Sequence, residues 1–187
     1  MLRLLPLVFC VAACDQGAGS LRADWLQLDD CKARGESKRF EPFTMDLAYA
    51  TVESRLGVGL VRMSPSGREI ALADQVIVTL DATLDPQADI AASGSARYEL
   101  TGDGQGEADL SLALMSRCAH VTQPLSARGT VTFYEYGWKT KSRIRGEMKF
   151  DLVDRRTGEV VGANFIGDFD FDGLTTSPLA SYSPEDY

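Results

Sequence analysis

The segment from Asp168 to Gly173 is the local motif in this chain that most suggests chemistry. Its sequence, DFDFDG, matches the opening of a D-x-D-x-D-G calcium loop, in which Asp168, Asp170 and Asp172 present hard oxygen ligands before a glycine turn. The twelfth position is Leu179 rather than the bidentate glutamate of such loops. A strand with inward phenylalanines and solvated aspartates is the simpler explanation of the pattern. We therefore expect no cofactor, with Ca²⁺ at these three aspartates as the alternative.

Hydrolytic chemistry has weak support in the sequence. His120 is the only histidine, and the candidate nucleophiles near it, Ser116 and Ser126, do not lie in a Gly-x-Ser-x-Gly pattern. Acidic side chains are numerous, but a carboxylate pair such as Asp168 and Asp170 occurs in any alternating acidic strand. We predict that the protein is not an enzyme, and a carboxylate-based hydrolase is the least favoured alternative.

A basic and aromatic segment is the best candidate for ligand binding. Residues 128–156 contain eight basic and four acidic side chains, although the whole chain has a net charge of −8. Such a surface suits an anionic glycan, lipid headgroups or an acidic partner, and aromatic rings beside a turn suit sugar stacking. The alternative is a solvated sheet face edged by aromatic residues. The candidate binding residues are Tyr134, Tyr136, Trp138, Lys139, Lys141, Arg143 and Arg145.

Apolar residues recur with a period of two along most of the chain, which indicates half-buried strands. The C-terminal third contains two long alternating segments joined by a turn at residues 154–158. Their inward sets are Ile144, Gly146, Met148, Phe150 and Leu152, and then Val161, Ala163, Phe165, Gly167, Phe169 and Phe171. Adjacent alternating strands of this kind predict an antiparallel sheet with one solvated face.

The remaining segments support the same fold class. Residues 43–49 and 76–80 are predicted strands, and a glycine-rich segment at 102–106 predicts a hairpin turn between strands 96–101 and 108–115. The only helix candidates, residues 23–32 and 84–92, are short. We predict an all-β fold, an antiparallel β-sandwich or β-barrel of about 8–10 strands.

The N-terminus resembles the signal peptide of bacterial lipoproteins. Arg3 precedes an apolar stretch, residues 4–13, that is too short to span a bilayer as a helix. The end of this stretch and the next residue, Val11-Ala12-Ala13-Cys14, resemble a lipobox. The resemblance implies that residues 1–13 are removed and that Cys14 carries the lipid. Asp15 resembles the signal that retains lipoproteins in the inner membrane, facing the periplasm; the outer membrane or the cell surface is the alternative.

Cysteine use is consistent with export. Once Cys10 leaves with the signal peptide and Cys14 carries lipid, Cys31 and Cys118 remain as an even pair. In an oxidising compartment such a pair predicts a disulfide. The alternatives are two buried thiols, or a metal pair together with His120.

The predicted organisation has four parts. A signal peptide occupies residues 1–13, the lipidated cysteine and a flexible tether occupy 14–24, a single β-domain occupies 25–174, and a flexible tail occupies 175–187. The acidic charge argues against nucleic-acid binding, because phosphate contacts need a basic face.

These observations predict a lipoprotein of the bacterial cell envelope, anchored to the membrane by its N-terminal lipid. We expect a non-catalytic binding or structural role toward an envelope glycan, lipid or protein partner. The alternative is a carrier that holds an apolar ligand inside a β-barrel lined by Met148, Phe150, Phe165 and Phe169, with space provided by Gly146 and Gly167.

Overall fold

The computed structural model describes residues 17–27, 40–47, 49–54, 57–61, 74–114, 125–139 and 142–172. This part of the chain contains ten strands and one short helix. The elements in chain order are β1 (Gly17–Gln27), β2 (Phe40–Leu47), β3 (Tyr49–Ser54), β4 (Gly57–Val61), β5 (Asp74–Leu80), α1 (Pro86–Ser93), β6 (Ala96–Thr101), β7 (Ala108–Leu114), β8 (Leu125–Tyr136), β9 (Arg143–Asp154) and β10 (Val160–Asp172).

All ten strands belong to one sheet, in the order β2-β1-β10-β9-β8-β6-β7-β5-β4-β3. The sheet is open and curled, and it forms a half-barrel, so the all-β prediction is confirmed. Neighbouring strands are antiparallel except β6 and β7, which makes the sheet mixed. The chain passes from β2 at one edge to β3 at the other, and the curl brings β3 against β1 and β10.

The three strands β8, β9 and β10 form the antiparallel centre of the sheet. Their pairing places Arg145 opposite Asp170 and Gly146 opposite Phe169. Every predicted inward residue of β9 is buried, and the arginines of the same strand are exposed. The predicted inward set of β10 also faces the interior, although Ala163 is only half-buried beside a register shift. The period-two prediction is therefore confirmed where it was clearest.

Aromatic side chains fill the concave side of the sheet. Phe165 is fully buried, stacks on Phe150 with ring centres 4.9 Å apart, and contacts Phe43 at 5.6 Å. Phe169 meets Phe133 edge-on at 5.8 Å. These contacts join strands that are far apart in sequence, and they make one continuous hydrophobic core.

The predicted flexible tether is wrong for residues 17–24, which lie in β1. This strand pairs with β10 on one side and β2 on the other, so its backbone is held within the sheet. The small residues that indicate a linker instead allow close packing. A Cβ atom at Gly19 would lie 2.8 Å from the carbonyl oxygen of Asp168 and 3.0 Å from the Phe171 ring. The β-domain therefore begins before residue 25.

The predicted hairpin around residues 102–106 is also wrong. Strands β6 and β7 share a single parallel bridge, between Leu100 and Ala108. Strand β6 instead pairs along its length with β8, and β7 pairs with β5. The glycine-rich segment therefore redirects the chain between two parts of the curled sheet.

Helix α1 overlaps the second helix candidate and ends one residue beyond it, whereas residues 23–27 of the first candidate belong to β1. Asp85 caps its N-terminus by accepting a hydrogen bond from the Ala88 N–H at 3.2 Å, and Pro86 occupies the first turn. Gly94 ends it in the left-handed conformation, with φ of 82°. The Tyr98 hydroxyl donates to Asp89 at 2.8 Å and so ties the helix to β6.

Candidate functional site

The predicted binding surface lies on the convex, solvated side of β8 and β9 and in the segment that follows β8. Within the described part of the chain, Tyr134 and Trp138 are among the few large hydrophobic side chains that are exposed, at 37% and 43%. Arg145 lies over the Tyr134 ring, 5.8 Å from its centre. The Lys139 ammonium lies 5.5 Å from the centre of the Trp138 ring. The structure thus places four of the predicted residues in two cation–aromatic pairs.

The surface is not the basic patch that the segment composition predicts, because β10 places aspartates beside the arginines of β9. Arg143 donates two hydrogen bonds to the Asp170 carboxylate, each 2.7 Å long. Arg145 lies 3.4 Å from a carboxylate oxygen of Glu135. The positive charge of residues 128–156 is therefore partly balanced by Asp170 of β10, which lies outside that segment, and Arg145 pairs with an acidic residue of the segment itself.

The ion pair between Arg143 and Asp170 makes stability depend on pH. The hydrogen bond from Arg143 lowers the pKa of Asp170 below its usual value. A carboxyl with a depressed folded-state pKa stabilises the fold above its unfolded pKa of about 3.9, and that contribution is lost as pH falls through the folded pKa. We expect Asp170→Asn to lower the melting temperature slightly at neutral pH and not in strong acid. The effect is small because the pair is exposed.

Asp172→Asn is the matched comparison for this measurement, since the Asp172 carboxylate also lies near Arg143 but is not hydrogen-bonded to another described side chain. Thermal unfolding followed by circular dichroism across the acid range gives the comparison. A melting-temperature difference between wild type and Asp170→Asn that persists unchanged in strong acid would contradict the assignment.

Two of the predicted binding residues are not on the described surface. Tyr136 is 5% exposed and packs edge-on against Phe133 at 4.9 Å, so its prediction as a surface residue is wrong. The cause is a register shift between Phe133 and Glu135, which reverses the alternation at the end of β8. Lys141 lies outside the described residues.

The aspartates of the calcium-like motif lie along the convex side of β10, while Phe169 and Phe171 are buried. Asp170 is bonded to Arg143, and Asp168 accepts a hydrogen bond from the Ser20 hydroxyl at 2.8 Å. Within the described ranges, no three His, Cys, Asp or Glu side chains are grouped as metal ligands. Gly173 and Leu179 lie outside these ranges.

The described candidates for catalysis are Ser126 and the paired carboxylates, and Ser126 is already hydrogen-bonded to another side chain. Ser126 is buried and donates to Asp109 at 3.0 Å, and Asp109 also pairs with Arg155. His120 and Ser116 lie outside the described residues, as do Cys14, Cys31 and Cys118. Glu147 and Asp168 face each other across β9 and β10, on the solvated side of the sheet.

The convex side carries two open depressions. One, of about 460 Å³, is lined by Tyr134, Arg145, Glu147 and Asp168, among others. The other, of about 490 Å³, borders Arg143 and the N-terminal end of β1. Both are wide and shallow, which suits a surface contact with an extended polar ligand.

A smaller pocket lies between the start of α1 and the end of β8, and the sequence analysis missed it. Its volume is about 110 Å³, and Gln87 closes one side by donating to the Tyr136 carbonyl oxygen at 3.0 Å. The available signals were the Asp-Pro helix start at residues 85–86 and the aromatic residues at the end of β8. Nothing in the sequence brings these two segments together.

No family model, curated protein or solved structure matches this chain. Among the described residues, no helix is both long and apolar enough to cross a membrane.

Proposed function

We propose that this chain is a lipid-anchored protein of the bacterial cell envelope with a non-catalytic binding role, and that an envelope glycan is its ligand. The observation that carries the proposal is the lipobox-like Val11–Cys14 behind a short apolar segment. Lipid attached at Cys14 places the domain close to the membrane, because β1 begins at Gly17 and leaves only a short connection. Asp15 favours the inner membrane, facing the periplasm.

The convex surface supports binding of a polar ligand. Its exposed rings, Tyr134 and Trp138, suit stacking on sugars, and its arginines are ion-paired with Asp170 and Glu135. An anionic ligand, whose binding depends on unpaired positive charges of the protein, therefore gains less binding free energy here than a glycan. A glycan combines apolar ring faces with hydroxyl groups.

The core packing weighs against the apolar-carrier alternative. The space beside Gly146 and Gly167 is occupied, since a Cβ atom would lie 2.6 Å from the Phe169 ring at the first position and 3.0 Å from Met148 at the second. The stacked rings of Phe150 and Phe165 occupy the same interior. These glycines thus serve close packing.

The anchor is tested by the intact mass of the protein purified from the membrane fraction of its native host. We expect a chain that begins at Cys14 and carries added acyl mass. Cys14→Ala should lose all of that mass and leave the membrane fraction or remain unprocessed. Cys10→Ala is the matched control, since that cysteine lies in the segment to be removed, and it should retain the acyl mass. If the wild-type chain carries no acyl mass, the proposed envelope anchor is wrong.

A further inference from the structure

The start of β1 lies at the same end of the sheet as the connection between β8 and β9. Gly17 pairs with Phe171 of β10, and Phe171 pairs in turn with Ile144 of β9. Ile144 pairs with Tyr136, the last residue of β8. These four residues form one row across the sheet, and since neighbouring strands lie about 4.8 Å apart, Gly17 is about 15 Å along the sheet from the end of β8.

The predicted lipid attachment holds this end of the sheet next to the membrane. Cys14 precedes Gly17 by three residues, and an extended chain advances at most about 3.6 Å per residue, so the connection reaches at most about 11 Å. Strand β9 alone contains 12 residues and is therefore about 40 Å long. As long as Cys14 carries lipid, the end of the sheet that contains Gly17 stays close to the headgroups.

The segment that follows β8 has side chains that a lipid–water interface favours. Trp138, two residues after Tyr136, is exposed, and the Lys139 ammonium lies 5.5 Å from the centre of its ring. Tryptophan and lysine each combine an apolar part with a polar end, and tryptophan is enriched where proteins meet the headgroups of a bilayer. With the anchor in place, Trp138 is positioned to contact the headgroup layer.

One of the two open depressions of the convex side reaches the same end of the sheet. It has a volume of about 490 Å³, and its lining includes Gly17 and Arg143. It adjoins the depression beside Tyr134, because Asp168 and Asp170 line both. The two depressions therefore form a continuous polar surface that runs from an exposed aromatic ring to the end of the sheet nearest the anchor.

The charges around the depression at Gly17 favour a neutral ligand. Its charged lining consists of one arginine and three aspartates, Arg143, Asp168, Asp170 and Asp172. Arg143 is already paired with Asp170, so the other two carboxylates repel a phosphate or any other anionic headgroup. The same side chains offer hydrogen-bond acceptors and donors to hydroxyl groups. An uncharged sugar therefore suits this lining.

We infer that the ligand of the convex surface is the neutral sugar headgroup of a glycolipid in the leaflet that holds the anchor. The inference rests on the proposed anchor and glycan binding, and it names the class of glycan. The sugar ring stacks on Tyr134, its hydroxyl groups bond to the aspartates and Arg143 of the two depressions, and Trp138 contacts the surrounding headgroups. A lipid-borne sugar is favoured because anchor and ligand share one surface, which raises the effective concentration of the ligand.

The orientation is tested with the acylated full chain in phosphatidylcholine vesicles. Trp25 and Trp138 are the only tryptophans, so in a Trp25→Phe background the fluorescence reports on Trp138 alone. We expect phosphatidylcholine that is brominated close to its glycerol to quench this fluorescence.

The matched control for the quenching moves the reporter away from the membrane. Ile166→Trp is introduced in a Trp25→Phe, Trp138→Phe background, because Ile166 is also exposed but lies five residues from Phe171 along β10, about 17 Å from this end of the sheet. We expect the brominated lipid to quench this reporter much less. Equal quenching at residues 138 and 166, or none at residue 138, overturns the orientation and the inference with it.

The ligand is tested by adding glucosyl, galactosyl or mannosyl diacylglycerol to the same vesicles. We expect a saturable change of the Trp138 fluorescence with at least one of these glycolipids, and no such change with phosphatidylglycerol or with diacylglycerol that carries no sugar. The corresponding free methyl glycosides should require at least a tenfold higher sugar concentration for the same change. No response to any of the glycolipids, or an equal response to a free glycoside, overturns the inference.

Tyr134→Ala removes the proposed stacking ring and keeps the tryptophan reporter. We expect the glycolipid concentration at half-saturation to rise by about tenfold, while quenching by the brominated lipid stays the same. Ile166→Ala is the matched control, because it removes an exposed apolar side chain of the convex side that lines neither depression. It should change neither measurement. Unchanged glycolipid binding by Tyr134→Ala contradicts the stacking role of that ring.

Failure of this inference and failure of the proposed function give different results. An acylated chain that responds equally to free glycosides and to glycolipids retains its glycan-binding role, and only the glycolipid is wrong. An acylated chain that responds to sugars in neither form contradicts glycan binding itself. A wild-type chain without acyl mass shows that the anchor, and the orientation that depends on it, is wrong.

Discussion

Gly146→Ala is expected to lower the free energy of unfolding by about 3 kcal/mol, the upper range for overpacking a core. A Cβ atom at this position would lie 2.2 Å from the backbone carbonyl oxygen of Thr132 and 2.6 Å from the Phe169 ring. A backbone oxygen cannot rotate away, so β8 and β9 must separate at the centre of the sheet. For a chain of this size the melting temperature should fall by about 6–12 °C.

Gly167→Ala is the matched comparison, one strand away and also inward-facing. Its Cβ would lie 2.9 Å from the backbone carbonyl oxygen of Ser20 and 3.0 Å from side-chain atoms of Leu21 and Met148, so the overlap is much smaller than at Gly146 and the strands need to separate less. We expect a distinctly smaller loss of stability than for Gly146→Ala in urea unfolding. If the two variants unfold at the same urea concentration, close contact between β8 and β9 is not the reason for glycine at residue 146.

Phe165→Ala is expected to cost about 3–5 kcal/mol of unfolding free energy. Phe165 is fully buried, and its ring contacts Phe43 and Phe150 from two other strands. Alanine at this position removes the ring contacts between these strands, and it also removes the favourable free energy of burying the ring away from water. Chemical denaturation followed by circular dichroism measures the loss.

Ile166→Ala is the control for Phe165→Ala, because the next residue along β10 points to solvent and is 42% exposed. Its effect should stay within about 0.5 kcal/mol. The comparison also bears on function, because a tightly packed interior predicts a large loss of unfolding free energy in Phe165→Ala. Near-neutral behaviour of Phe165→Ala would mean that the interior is loose, and it would restore the apolar-carrier alternative.

The proposed glycan surface depends on how β10 lies beside β9. The strand register places Asp170 opposite Arg145 and Asp172 opposite Arg143, so each arginine has a carboxylate close by. What then distinguishes this surface is the exposure of Tyr134 and Trp138. The structure therefore favours aromatic stacking over positive charge as the basis of the proposed glycan binding.

Much of the fold was predictable because the strand signal is local. A period of two in apolar residues needs only the pleat of a single strand, so it identified β2, β5, β6, β7, β9 and β10 and the inward residues of β9 and β10. The turn at residues 154–158 was predictable for the same reason. The lipobox resemblance is equally local, and the anchor it implies stays a prediction.

The errors occurred where a neighbouring strand determines the outcome. Gly17 to Ser20 have the composition of a linker, yet β10 and β2 hold them in a sheet, and their small size is what allows that approach. The glycine-rich segment after β6 has the composition of a hairpin turn, yet its flanking strands take other partners. Composition indicates which conformations are allowed, and tertiary contacts select among them.

By itself, the sequence determined that this protein is a β-sheet with one apolar and one charged side, because side-chain alternation is a property of each strand. The tertiary structure alone decided which groups meet. The bulge after Phe133 turns Tyr136 inward, and folding brings the start of α1 against it, residues that are far apart in the chain. Register shifts and long-range docking depend on the summed packing of many strands, so no local pattern encodes them.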